Sequence, residues 1–370
     1  MKFFHLADLH LGKNLHAQNL AEDQRFVLQQ VLDAAELERP DAVLLAGDIY
    51  NTSQPSGDSM STLDWFLSEL IRKEIVVYAV SGNHDSAEHL SFGADMFKNA
   101  GYYLSKPFKG EVVVFSRQDR YGKVNFYLLP YVTKSQVKRA YPDEPEPKTM
   151  DEAMRLVVKH MNVKKSSRNI LVAHQFVTGA VKGDSETISL GGLDGINPET
   201  LAKFNYVALG HIHRAQKVAD NARYAGTLLQ YSFNEEGNKS AVVVVDMDGD
   251  GNCKIKQIPI KPLHELHTWK GSFEEIMAKP ETLDYLRITL TDKTEIVDAF
   301  YKLRAKFKNL LVFTYKGETM EAEGIGDNAV YDAKTPLEHF LDFYQQQNGH
   351  APSEAQCQIV KKFLTEAEKL

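Results

Sequence analysis

Short, unbroken apolar runs set the strongest limit on what this chain can become. Lys2–Ala7, Asp41–Ala46 and Ile75–Val80 are apolar without alternation. That is the pattern of strands covered on both faces, not of strands with one wet side. Between them lie segments with helical spacing: Asp23–Glu38, where Phe26, Val27, Val31, Leu32 and Ala35 recur, and Met60–Lys73. This strand–helix–strand rhythm predicts a layered α/β domain. Further strands are expected at Glu111–Phe115, Val124–Leu129, Asn169–His174, Tyr206–Leu209, Arg223–Ala225 and Ala241–Asp246. A helix is expected over Met150–Met161, behind the Pro- and charge-rich loop Asp143–Lys148, and glycine-rich Val181–Gly195 reads as a surface loop near a site.

A smaller α+β unit follows Pro262. It reads as strand Leu266–Trp269, helix Phe273–Met277, strand Tyr285–Thr291, helix Ile296–Phe307 and strand Leu310–Tyr315. Acidic Glu321–Ala333 reads as a linker, and Pro336–Gln347 and Ser353–Leu370 as terminal helices. The expected division is therefore 1–262, 263–320, a linker over 321–335, and 336–370, in line with two or three domains for 370 residues.

Composition narrows the setting. Two cysteines, Cys253 and Cys357, cannot build a disulfide framework, which fits a reducing compartment. No apolar run approaches the roughly 20 residues of a membrane span. The opening MKFFHLADLHLG places His and Asp where an export signal needs an unbroken apolar stretch. A cytoplasmic location and no membrane contact are expected. The net charge of −7 excludes a uniformly basic nucleic-acid coat but leaves room for a local basic surface, a bound metal or a basic partner.

Chemistry concentrates in five short segments, each ending an apolar run: Asp8-Leu9-His10, Gly47-Asp48, Gly82-Asn83-His84-Asp85, His174, and Gly210-His211-Ile212-His213. Carboxyl ends of strands are where ligands bind in an open α/β sheet, and a strand end aims a side chain from a rigid support. Mixed carboxylate, imidazole and amide donors suit Mn²⁺, Fe²⁺ or Zn²⁺ and argue against the all-oxygen cage that Mg²⁺ or Ca²⁺ favours. Seven or so ligands exceed the need of one ion. They suit two, bridged by one carboxylate about 3.5–4 Å from each other, as in two-metal phosphoester hydrolysis. One such segment alone would more simply be a hydrogen-bonded core; five in order are hard to explain that way.

The ordered set resembles the signature of the calcineurin-like metallophosphoesterases. GDIYNTSQPS, AHQFVTGAVKGDSE, YVALGHIHRAQKV and RYAGTLLQYSFNEEGNKS resemble the nuclease branch, the SbcD proteins. The likeness is good over about residues 1–260 and looser beyond. Asn51 departs from the GDxxD found in many relatives, at a position that is not usually a ligand. The resemblance implies a layered β-sandwich flanked by helices, a small α+β capping domain and C-terminal helices. It implies one metal on Asp8, His10, Asp48 and His213, and a second on Asp48, Asn83, His174 and His211, with Mn²⁺ as the expected ion. His84 would serve the leaving oxygen without binding metal, and Asp85 would orient its imidazole. The implied activity is DNA cleavage, as a 3′–5′ double-strand exonuclease and a single-strand and hairpin endonuclease. The implied partners are DNA, an SbcC-type coiled-coil ATPase and a second copy of the chain. Leu337, Phe340, Leu341 and Phe343 or Tyr344 form the stripe expected to dock on the ATPase. The competing classes are a cyclic-nucleotide or protein phosphoesterase of the same family and a non-catalytic scaffold of that fold.

Other features read as structure. Asp246–Gly251 starts like an EF-hand loop, but Gln257 stands where a bidentate Glu is needed, so a hairpin turn is expected. His264 and His267 show no carboxylate partner at ligand spacing, and His5, His16, His89 and His160 fall outside the motifs. Two basic clusters, Lys159/Lys164/Lys165/Arg168 and Lys302/Arg304/Lys306/Lys308, read as solvated faces unless they follow phosphate.

Overall fold

Each unbroken apolar run of the first half becomes a strand with nearly every side chain buried. The computed structural model describes residues 1–181 and 195–316, together with Tyr344, Pro352, Ser353, residues 356–358, Val360 and Lys361. Met1–Ala322 forms one compact unit and Glu323–Leu370 a second. The apolar stripe at 337–343, the expected linker and most of loop 181–195 lie outside the described residues. Among the described residues, no helix is long and apolar enough to cross a membrane.

Two six-stranded sheets stack face to face. The first comprises β1 (Lys2–Leu6), β2 (Ala42–Ala46), β3 (Val76–Val80), β4 (Tyr102–Leu104), β11 (Ala241–Met247) and β12 (Cys253–Pro259), in the order β12-β11-β1-β2-β3-β4. The second comprises β5 (Val113–Asp119), β6 (Gly122–Leu129), β7 (Arg168–His174), β8 (Tyr206–Gly210), β9 (Gln216–Lys217) and β10 (Ala222–Tyr224), in the order β9-β10-β8-β7-β6-β5. β1, β2 and β3 run parallel, as do β6, β7 and β8, so their carboxyl ends emerge together. Phe3, Leu44, Tyr78, Phe126, Ile170, Val172 and Val243 fill the layer between the sheets. Helices α1 (Ala21–Glu38) and α2 (Gly57–Arg72) cover the outer face of the first sheet, and α3 (Met150–His160) that of the second. α1 begins two residues before the expected start because Asn19 Oδ1 accepts the Ala21 N–H at 2.7 Å. α2 begins three residues early because Ser56 caps it, accepting from Ser59 N.

The small unit is a parallel sheet of β13 (Leu266–Gly271), β14 (Tyr285–Leu290) and β15 (Leu310–Tyr315), with helix Phe273–Met277 and α4 (Ala299–Lys306) in the crossovers. It buries its own cluster around Leu286, Ile288, Leu303 and Phe307.

Arg168 leaves the surface cluster that its sequence neighbours suggested. Its side chain is 6% exposed and grips Asp119, with Nη1 2.9 Å from Oδ2. Lys159 is paired with Glu144 at 2.6 Å. Asp119→Ala would strand a buried guanidinium, so a loss of about 3–5 kcal/mol in urea unfolding is expected. Arg168 beside it holds the Asp119 carboxyl well below the usual range. Its contribution to stability is therefore complete above an ordinary Asp pKa of about 4 and is lost as pH falls toward the lower folded value. Asp119→Asn should flatten that acid limb.

Candidate metal centre

All seven expected donors meet at the edge formed by the carboxyl ends of β1, β2, β3, β7 and β8. The turns that carry them are strained. Asp8, His10, Asp48 and His211 have φ of 52°, 43°, 47° and 97°, a region non-glycine residues enter at a cost of about 1–3 kcal/mol each. The strands' loops are laced together: Asp8 N donates to Gly47 O (3.0 Å), His10 N to Asp48 O (2.9 Å) and Leu11 N to Ile49 O (2.9 Å). Two motif glycines answer close approach. A Cβ at Gly82 would lie 2.1 Å from Asp48 Oδ1, and one at Gly210 would lie 1.9 Å from Ala46 O.

The donors form two groups around Asp48. On one side His10 Nε2 and His213 Nε2 lie 3.1 Å apart, with His10 Nε2 3.7 Å from Asp48 Oδ2. On the other, His174 Nε2 is 3.3 Å from the same Oδ2 and 3.1 Å from Asn83 Oδ1, and His211 Nδ1 is 2.9 Å from Asn83 Oδ1. Asp8, His10 and His213 offer donor atoms within 4.8 Å of one another, as do Asp8, Asp48 and His174. Asp8 Oδ2 and His10 Nδ1 are buried with no hydrogen-bond partner. An unsatisfied buried carboxylate oxygen is costly, and a cation would relieve it. Burial pushes the Asp8 carboxyl up, against the pull of His174 and His213. Burial also opposes charge on Asp48, yet His174 beside it holds that carboxyl well below the ordinary range, and Asp48 in turn raises His174. The donor set and the orphaned atoms fit two divalent cations of the borderline class.

Outer partners fix the imidazoles. His174 Nδ1 donates to Ala46 O at 2.8 Å, leaving Nε2 to face Asp48 and Asn83. His213 Nδ1 lies 2.7 Å from Glu235 Oε1, and Glu235 is only 2% exposed. Sequence reasoning missed Glu235. Its only signal is an acidic residue in a Ser-Phe-Asn-Glu-Glu-Gly turn 22 residues past His213, a pairing that needs the fold to be seen. Glu235→Gln should weaken Mn²⁺ binding by about 10-fold or more, read by calorimetric titration.

The expected bond between Asp85 and the His84 ring is not formed. Asp85 accepts three backbone N–H groups instead, from Gly82 (2.8 Å), Tyr50 (2.8 Å) and Ile49 (3.1 Å). Three donors from two loops outcompete one neighbouring ring, so Asp85 shapes the loops and not the imidazole. Burial and the nearby Asp48 charge push it up to about 6. His84 is held by another group: Nδ1 donates to Asn51 O at 3.0 Å, leaving Nε2 3.9 Å from Asp48 Oδ2. A backbone carbonyl serves whatever the side chain, so Asn51 at this position costs the arrangement nothing.

Fold and centre together define a metal-dependent phosphoesterase. The chain belongs to the calcineurin-like phosphoesterase family, whose model matches residues 1–215. Residues 262–348 match the family described as the type 5 capsule protein repressor C-terminal domain. Along nearly its whole length the chain is similar to two proteins named as the D subunit of the nuclease SbcCD. That of Staphylococcus epidermidis is 28% identical, and that of Staphylococcus saprophyticus 29%, each alignment covering 99% of this chain and 98% of the relative. Among solved structures, TT1561 of Thermus thermophilus aligns with 69% of this chain and 98% of its own at 14% identity and a TM-score of 0.40.

Proposed function

We propose that the chain is a two-metal DNA nuclease acting with an SbcC-type ATPase in DNA end processing. The observation that carries the reading is Asp48, whose Oδ2 faces His10 on one side and His174 on the other. Asp8, His10, Asp48 and His213 would hold one Mn²⁺, and Asp48, Asn83, His174 and His211 the second. Bound there, the cations would neutralise phosphodiester charge and bring the pKa of a water toward neutrality. Glu235 and Ala46 O keep the two imidazoles turned with Nε2 inward. Asn51 O requires the proton of His84 Nδ1. His84 can therefore carry a second proton only on Nε2, the atom that faces the site, and deliver it to the leaving oxygen.

The relatives' names, each a subunit of a nuclease, support a nucleic-acid substrate and a multi-subunit assembly. No ligand position is lost, which weighs against a scaffold. Duplex ends, hairpins and cyclic AMP, each incubated with Mn²⁺, separate the readings: cleavage of DNA is expected, and turnover of cyclic AMP alone would refute it.

The finer assignments follow the same reading: residues 1–262 as the nuclease domain, 263–320 as a capping domain, a homodimer, and docking of 336–370 on the ATPase in the cytoplasm. The segment after Asp85 exposes three large apolar side chains, Phe92 (83%), Met96 (75%) and Phe97 (43%), and is the surface we assign to the dimer. A chain ending near Ala333 should still hydrolyse a small phosphodiester but lose the ATPase in a pull-down; undiminished binding would refute the docking role.

A further inference from the structure

Adjacent residues on the first turn of α1 reach in opposite directions. Gln24, 3% exposed, donates from Nε2 to His10 O at 2.7 Å and to the Tyr231 hydroxyl at 3.2 Å, and its Oε1 accepts Gly12 N at 3.1 Å. It thereby grips, at His10 and at Gly12, the turn in which Asp8, His10 and Gly12 all have positive φ. Tyr231 hydrogen-bonds Leu9 O in the same turn, and its ring meets the His10 ring edge-on at 5.5 Å. Its N–H goes to Glu235 Oε2 at 2.7 Å, the carboxylate that holds His213. One connected set of buried groups thus positions the two imidazoles that face each other.

Asp23, 2% exposed, points the other way. It accepts from the Tyr285 hydroxyl at 2.8 Å and lies 3.0 Å from His264 Nδ1. Tyr285 opens β14 of the small sheet, and His264 lies in the connection that leads into it. The small sheet touches the set at a second point: the Arg287 guanidinium lies over the Phe233 ring at 5.2 Å, two residues from Glu235.

We propose that this turn is a two-sided clamp. Gln24 is a positioning residue for His10, and Asp23 ties its turn to the small sheet. The seating of that sheet then sets how tightly the His10–His213 side of the centre holds its cation. The inference rests on the metal-centre reading above.

Mn²⁺ titration of the full chain by calorimetry tests it. Gln24→Met keeps the buried volume and removes the amide. It should weaken one of two Mn²⁺ sites by about 10–100-fold and leave the other near wild type. Tyr285→Phe removes one hydroxyl and should weaken the same site several-fold. The double variant should lose less than the product of the two, because both act through one turn. Unchanged affinities in Gln24→Met would overturn the positioning role. A shifted melting temperature with unchanged Mn²⁺ affinities in Tyr285→Phe would overturn the link to the small sheet. If Gln24→Met does not fold, Tyr285→Phe alone decides. Failure of the wild-type chain to bind Mn²⁺ would refute the metal centre itself, and the clamp with it.

Discussion

Asp48→Ala should abolish tight binding of both cations and lower phosphodiester turnover by about 10³-fold or more, since the pair is worth several kcal/mol of transition-state charge stabilisation. Asp48 Oδ2 faces both groups, 3.7 Å from His10 Nε2 and 3.3 Å from His174 Nε2. It also offsets the repulsion that two dications would feel. Its Oδ1 accepts the His84 N–H at 2.9 Å, so its loss loosens the Gly82–Asp85 turn as well. Asn83→Ala is the comparison. A neutral amide on one side should leave one Mn²⁺ bound, so titration should give about one ion for Asn83→Ala and none for Asp48→Ala. Equal stoichiometry in the two variants would count against a bridge.

His84→Ala should separate binding from chemistry. Both ions should remain, while turnover falls by about 10²–10⁴-fold, the usual cost of losing a general acid. The ring is well placed for that role: it is anchored through Nδ1 to Asn51 O, and its side chain is 35% exposed at the rim. His84 Nε2 does come within ligand range of His10 and Asp48. Metal analysis of the purified variant therefore decides, and a fall in Mn²⁺ content matching the loss of activity would make His84 a ligand.

Much of this was legible in the chain because strand ends are local. An apolar run followed by Asp, Asn or His announces both the strand and the donor it aims, and all seven donors do meet. The small sheet was equally legible, each of its five elements beginning within a few residues of its expected place. What could not be read were partnerships that close over long separations. Asp85 is next to His84 in sequence, yet its oxygens go to the backbone of residues 49, 50 and 82. Backbone N–H groups carry no residue identity, so no motif displays them. Glu235 needs the turn after Tyr231 to bring it under His213. His264 lacks a carboxylate within ligand spacing and finds Asp23, 241 residues away. Arg168 looked like one more surface cation and is instead buried on Asp119.

Anomalous diffraction from crystals grown with Mn²⁺ tests the bridged two-metal centre directly. Two manganese peaks about 3.5–4 Å apart are expected, with Asp48 coordinating both, Asp8, His10 and His213 on one, and Asn83, His174 and His211 on the other. A single peak, or two peaks that do not share Asp48, would contradict it.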